Sequence, residues 1–352
     1  MLEALRRINF MKKIMKRLTA LAVVSTMVFT SLVGCATTSS VDNSEVVATI
    51  GDSEVTAGVA NFYLRYQQAG MEEVYEMYFG ENFWNAPLTD GSTYAQNLKD
   101  QVRKSLHEFY LLEDHMAEYN VTITEEELAA IDAAAEAFVA NNDAKVLESI
   151  SGDKEVVAEV LRLFTINEKM YQAMTADVDT VVDDKDAAQK RMRYYSQNKT
   201  KTENGGTVEL SEDELAALKT EMEDVLKGAK ADGSLKAYGE ANELGTYALT
   251  FDSESTATAK EVIEVADKLK EGEFSGVIDT EYFYYVVQLE SEFDKEATET
   301  RKDEIVEERR VEAYSAIAEK WLVETKMDLN EEAWDKLVVD VLRVLAKETE
   351  EK

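Results

Sequence analysis

The chain has 352 residues and a formal net charge of −33, from 71 acidic and 38 basic residues. That balance argues against a nucleic-acid-binding surface, which needs a basic patch. The 45% of hydrophobic residues argues against a disordered chain. One proline, one cysteine and 15 glycines disfavour a loop-rich β-sandwich and any internal disulfide framework, and leave long helices as the expected scaffold.

The N-terminus is basic at Lys12, Lys13, Lys16 and Arg17, then apolar from Leu18 to about Leu32. A run of roughly 15 apolar residues has the length of a signal peptide and falls short of the about 20 that a spanning helix needs. It ends in Leu32-Val33-Gly34-Cys35, which resembles a bacterial lipobox: Leu at minus three, Gly at minus one, then the cysteine. The resemblance implies a signal over residues 1–34 and a diacylglycerol on Cys35, the two acyl chains being enough for stable anchoring. An ordinary secretory signal with an incidental buried cysteine is the alternative. Met1 and Met11 both fit as the start. Residues 35–45 are small and polar and read as a tether. Five net positive charges precede Cys35, so the body beyond it carries −38 over about 318 residues. Such a body is repelled by anionic lipid, and its contact with the membrane is expected through Cys35 alone.

Residues 46–56 read as two short strands around Gly51-Asp52-Ser53. A helix follows, with Val59, Phe62, Tyr63 and Tyr66 at i, i+3, i+4, i+7. Residues 80–94 hold Gly80, Asn82, Pro87, Asp90 and Gly91 and read as a loop. A second helix is expected over about Thr93–Tyr119, its stripe being Leu106, Phe109, Leu112, Met116 and Tyr119. Thr124-Glu125-Glu126-Glu127 forms a capping box ahead of a stripe at Leu128, Ile131, Ala135 and Phe138. A fourth helix covers about Glu155–Met174, with Val160, Leu163, Phe164 and Met174 on one side.

Residues 178–187 are acidic and read as a junction, after which the pattern changes. Arg191–Ser196 fits a strand and residues 198–210 a polar loop. Ser211-Glu212-Asp213-Glu214 is a second capping box, opening a helix to about Gly228. A short helix near Leu235–Ala241, a strand over Leu244–Phe251 and a helix from Ala257 to Glu271 come next. Val277-Ile278 then leads into Tyr282–Leu289, the strongest strand signal in the chain. This β-α-α-β-α-β-β order over about 100 residues is that of a small α+β domain. Beyond it, Glu296–Lys320 reads as a charged helix with Val306, Ala313, Ile317 and Trp321 on its buried side. A last helix is expected over Asn330–Lys347, with Trp334, Leu337, Val338, Val341 and Leu345 inward. Isolated amphipathic helices are marginal, so these two are expected to pack on the N-terminal helices, with the α+β unit inserted between. The expected boundaries are 46–177, 178–292 and 293–352.

In this order the residues resemble the PrsA/SurA-type extracytoplasmic folding factors. The resemblance rests on four features: the strand-turn-strand-helix from Val46 to Tyr66, the turn Leu269–Ile278 that is similar to a parvulin L-K-x-G-E-x-S segment, the strand Tyr284–Leu289 that is similar to the parvulin closing strand, and the C-terminal charged helix with Trp321. It implies a mainly α fold with an inserted α+β domain, a helical SurA-N-like chaperone lobe plus a parvulin-like peptidyl-prolyl isomerase domain. It also implies unfolded or partly folded secreted polypeptides as partners, no cofactor, and a place on the extracytoplasmic face of a membrane. A homodimer is left open. Two departures from the family pattern bear on activity: Tyr194 and Tyr285 stand where parvulins usually carry histidines. The segment Glu243–Tyr247 stands for the family's Gly-Asp-Leu-Gly stretch. Tyr194, Tyr247 and Tyr285 are thus the candidate pocket positions, and weak or absent isomerase activity is expected. A non-catalytic envelope scaffold is the competing reading.

Other chemistry finds no support in the sequence. His107 and His115 on one helix would lie about 12 Å apart along the axis, too far to share a metal, and no zinc spacing, phosphate loop or nucleophile elbow is present. The aromatic run Tyr282–Tyr285 fits either a peptide groove or plain packing on helices. Tyr63, Tyr66, Tyr75 and Tyr78 read mostly as core.

Overall fold

The structure, a computed structural model, describes residues 41–80, 83–203 and 205–339. The signal segment, Cys35, Val341 and Leu345 lie outside the described residues. The chain divides into two compact units, 1–178 with 310–352 and 179–309. Among the described residues no helix is long and apolar enough to cross a membrane.

The first unit opens with β1 (Val46–Ile50) and β2 (Ser53–Thr56), an antiparallel pair whose turn uses Gly51 at φ 57°. That left-handed conformation is one glycine reaches without steric cost. Helix α1 (Ala57–Phe79) starts at Thr56, whose hydroxyl accepts from the Val59 N–H, and stops at Gly80 with φ 85°. The loop that follows is pinned by a 3-10 turn at Phe83–Asn85, where Phe83 and Trp84 are both fully buried. Helix α2 (Tyr94–Asp114) is shorter than expected. It ends at His115, and Met116–Tyr119 form a separate 3-10 turn closed by Asn120 at φ 54°. Helix α3 (Glu125–Ala140) carries the capping box at Thr124. Ile131, Ala135 and Phe138 are buried, but Leu128 is exposed, a departure from the expected stripe. The first turn is held instead by Lys169, which reaches both Glu127 carboxylate oxygens at 2.8 and 2.7 Å. Helix α4 (Ala144–Ile150), for which the sequence offered no signal, precedes α5 (Lys154–Met174). Along α1 a polar ladder is buried within the apolar surroundings. Arg65 Nη1 donates to Gln68 at 2.9 Å and Gln68 Nε2 to Glu72 at 3.1 Å.

The second unit begins with α6 (Asp184–Ala187) and β3 (Lys190–Asn198). The expected loop at 198–210 is instead a hairpin, β4 (Thr200–Glu203) with β5 (Gly206–Glu209). Helix α7 (Glu212–Asp232) runs through Gly228 to a left-handed cap at Gly233. Gly228 is no terminator because its role is contact: a Cβ there would lie 2.2 Å from the Tyr238 ring. Next come α8 (Leu235–Ala241), β6 (Tyr247–Phe251) and α9 (Lys260–Ala266), the last shorter at both ends than expected. Then β7 (Ile278–Asp279) and β8 (Phe283–Ser291) complete a four-stranded sheet of order β6-β3-β8-β7.

Helix α10 (Lys295–Glu324) follows, its first residues counted with the second unit and its last with the first. Beyond it, β9 (Met327–Leu329) pairs antiparallel with β1, Ala48 opposite Leu329 and Ile50 opposite Met327, making β1 the central strand of three. Helix α11 (Glu331–Asp335) is one short turn, where a helix to Lys347 was expected. Trp334 and Leu337 are buried, whereas Val338 is exposed. Tyr314, Ala318, Trp321, Trp334 and Leu337 join the same apolar core as α1, α2 and α5.

Candidate peptide-binding site

The side chains of a strand alternate between faces, and in the second unit this splits the sheet into two unequal cores. Tyr195, Tyr284 and Val286 face α7 and α8, packing with Met222, Val225, Ala229 and Leu235. Met192, Tyr285, Val287 and Leu289 face the other way, onto Val262, Ile263 and Ala266 of α9. A 21-residue helix covers the first face. The seven residues of α9, about 10 Å of helix, cover the second together with Ala259 and Leu269 at its flanks.

On this second face the aromatic side chains form a strip across three strands. Tyr247 of β6 sits opposite Tyr194 of β3 in register, with ring centroids 5.7 Å apart. Tyr194 lies 5.8 Å from Tyr285 of β8, and Tyr285 lies 5.8 Å from Phe283. Tyr285 is 9% exposed and Tyr247 is 59% exposed, so the strip grades from core to solvent. Burial, then the neighbouring phenols of Tyr285 and Tyr247, push the Tyr194 hydroxyl above its ordinary pKa. The phenol, protonated at neutral pH as tyrosines ordinarily are, can donate a hydrogen bond. The three residues singled out from sequence are brought together, and Phe283 extends them.

The turn that resembles a parvulin motif explains how β8 is held. Gly272, at φ 81°, donates its N–H to Leu289 O at 2.8 Å, and Ser275 donates its N–H to Val287 O at 2.8 Å. The Ser275 hydroxyl, buried, accepts from the Val287 N–H at 2.9 Å. The Leu269–Ile278 segment thus runs along β8 and fixes the strand that carries Tyr285. Gln288, also buried, ties the opposite face: its carbonyl accepts from the Leu235 N–H at 2.8 Å and its amide donates to Gly233 O at 3.1 Å. Sequence reasoning missed Gln288, because an amide inside an apolar strand reads as an interruption until its partners are known. A Cβ at Gly245 would lie 3.4 Å from the Tyr247 hydroxyl, so the glycine leaves room for that ring.

The two histidines take structural places in the first unit. His107 Nε2 lies 2.7 Å from Thr325 O. His115 stacks on Trp321 with centroids 3.9 Å apart and planes at 3°. Of the tyrosines read as core, Tyr63 is buried among Phe109, Phe164 and Tyr66. Tyr66 and Tyr75 are partly covered, and Tyr78 is exposed. Val74, Met77, Tyr78 and Phe79 together leave the end of α1 as an exposed apolar patch. Among the described residues, the sheet strip in one unit and the α1 end in the other are apolar surfaces open to solvent in part.

The chain is similar to several known proteins. Residues 1–181 match the family model described as the SurA-like N-terminal domain. Foldase protein PrsA of Clostridium perfringens (strain ATCC 13124) is 24% identical over 358 residues, covering 94% of this chain and 98% of the relative. Foldase protein PrsA of Clostridium botulinum (strain Hall) is 31% identical over 213 residues, 54% of this chain and 60% of that one. The crystal structure of foldase protein PrsA from Lactococcus lactis is 16% identical, with a TM-score of 0.34 over 84% of this chain and 98% of its own.

Proposed function

Since the chain belongs to the SurA-like N-terminal domain family, we propose that it is an extracytoplasmic protein-folding factor that binds unfolded secreted polypeptides. The observation that carries this reading is the aromatic strip Tyr247–Tyr194–Tyr285–Phe283, laid across a sheet face that α9 covers in part. Such a surface takes the apolar and proline-rich segments that an unfolded chain exposes, without demanding one sequence. The exposed end of α1, with Met77, Tyr78 and Phe79, gives the helical unit an apolar surface of the same kind. The names of the relatives, foldase protein PrsA, support the same reading.

Isomerisation of a prolyl bond needs no nucleophile. Its barrier of about 18–20 kcal/mol falls when a site binds the twisted amide better than the planar one. Here the strip supplies an apolar bed, and the Tyr194 phenol one donor between Tyr247 and Tyr285. With tyrosines at the two histidine positions we expect turnover of a proline tetrapeptide well below that of a histidine-bearing parvulin. A full-strength rate that Tyr285→Phe abolishes would overturn that expectation.

The lipobox at Leu32–Cys35 supports attachment through lipid on Cys35. Palmitate labelling that survives in a Cys35→Ala variant would remove this part. The decisive test of the main reading is aggregation of a denatured client: the purified body delays it, and a body that neither delays it nor binds unfolded peptide refutes the proposal. The tyrosines at the histidine positions favour one second reading, a non-catalytic scaffold for a folded envelope partner. Capture of one dominant folded protein, rather than many unfolded ones, would select it.

A further inference from the structure

The four-stranded sheet ends on one side in β6. Along its inner edge β6 pairs with β3, from Lys190 opposite Phe251 to Tyr194 opposite Tyr247, without a bulge. Its outer edge is open: among the described residues, no hydrogen bond beyond that ladder reaches the main chain of residues 247–251. Tyr247, Ala248 and Thr250 are exposed. Five residues at about 3.4 Å each give about 17 Å of open edge. Every second residue of such an edge points both its N–H and its C=O outward.

Open edges are ordinarily blunted by charge, brevity or proline, and the other edges of this chain are. β2 carries Glu54 and β9 carries Asp328. β7 is two residues long and ends in Asp279. The hairpin strands carry Lys201, Glu203 and Glu209. β6, Tyr-Ala-Leu-Thr-Phe, has neither charge nor proline, and among the described residues it is the one sheet edge left so. It also borders the aromatic strip. Leu249 and Phe251 pack on the same face as Tyr285, and Tyr247 stands beside Tyr194 on that face at 5.7 Å. A strand added outside β6 would lie about 4.8 Å away. Its alternate side chains would then meet Tyr247 from the outer side as Tyr194 does from the inner.

We propose that an extended segment of an unfolded polypeptide adds to β6 as a fifth strand, with apolar residues at every second position continuing the strip past Tyr247. The edge selects this occupant, because N–H and C=O groups that repeat every second residue match an extended chain, whereas a helix uses its own internally. The proposal deepens the folding-factor reading and rests on it. Main-chain pairing accounts for tolerance of sequence, and it gives proline a place. A prolyl residue has no N–H, so it fits only where that group would point away from β6.

The test is binding of an uncharged nine-residue peptide, threonine alternating with valine or tyrosine, to the full chain by fluorescence anisotropy. The peptide is compared with its singly N-methylated forms, one for each central position. The alternation fixes which edge of the peptide faces β6. N-methylation is expected to weaken binding about ten-fold or more at every second position and less than about two-fold at those between. Ala248→Glu puts a charge on the edge opposite Arg193, keeping an opposed pair with β3, and is expected to weaken the parent peptide about three- to ten-fold. N-methyl groups that weaken binding at all positions alike, or at none, overturn the proposal. So does a dimer that Ala248→Glu dissociates without changing peptide affinity, since β6 then pairs with a second copy. Client aggregation measured in parallel separates the two ideas. Suppression without the two-residue period refutes strand addition alone, and the period without suppression keeps strand addition and refutes the folding role.

Discussion

Trp321 joins the C-terminal helix α10 to the N-terminal helices, and truncating it tests whether that joint holds the helical unit together. Its side chain is 7% exposed, lies flat on His115 at 3.9 Å and meets Tyr119 edge-on at 6.0 Å and 78°. Trp321→Ala removes a buried aromatic side chain and leaves a cavity, a change that costs about 3–5 kcal/mol. The His115 stack is a part of that, about 1 kcal/mol, and His115→Ala is expected to show it. Against a total of about 5–15 kcal/mol for a domain, the tryptophan change is a large fraction. With a slope of about 2 kcal/mol per molar urea, the midpoint falls by about 2 M. The assay reads this unit alone, since Trp84, Trp321 and Trp334, the 3 tryptophans of the chain, all belong to it. The control is Val323→Ala, on the same helix and 77% exposed, expected to stay within about 0.5 kcal/mol. A Trp321→Ala variant that unfolds within about 1 kcal/mol of the parent, or no lower than the Val323 control, would refute the packing argument.

Tyr247→Ala removes a largely exposed ring from the strip. It should leave stability within about 0.5 kcal/mol while weakening a proline-containing peptide about two- to ten-fold by fluorescence titration; unchanged affinity would move the peptide site elsewhere. Gly228→Ala gains about 1 kcal/mol of helix propensity but drives a Cβ into the Tyr238 ring, overpacking that costs about 1–3 kcal/mol. Hydrogen exchange over α7 should therefore quicken and be restored by adding Tyr238→Ala, whereas slower exchange in the single variant would show that the ring yields freely. Glu214 has its pKa lowered from 4.5 to about 2 by the Lys201 ammonium, then by the backbone and hydroxyl of Ser211. A depressed folded pKa means its contribution is present above about pH 4.5 and is lost as pH falls towards 2. An NMR titration that finds Glu214 at its ordinary value, or a Lys201→Met variant that leaves it low, would contradict the pairing.

Much of the helical architecture was legible because its causes are local. The stripe Val59, Phe62, Tyr63, the capping boxes at Thr124 and Ser211, and the Gly51 turn each draw on residues within a few positions of one another. The candidate strip was legible in part: Tyr194, Tyr247 and Tyr285 came from a family pattern, while their approach to 5.7–5.8 Å depends on strand register. Where sequence reasoning failed, a distant partner decided the outcome. Met327–Leu329 is a strand because β1 offers it an edge. The hairpin at 200–209 is polar and largely exposed, so no period of hydrophobicity marked it. Gly228 continues a helix because Tyr238 lies against it, and Leu128 is exposed although the period predicts burial.

The amino-acid sequence by itself determined the type of those elements whose caps and stripes are local, the acidic balance of the body, and the lipobox-like segment ending at Cys35. These follow from composition and from interactions a few residues apart. The tertiary structure alone decided that Tyr247, Tyr194 and Tyr285 meet across three strands, that His107 meets the Thr325 carbonyl, and that His115 stacks on Trp321 of α10. Each of these depends on which side chains distant in sequence share a surface, and periodicity within one segment carries no information about that.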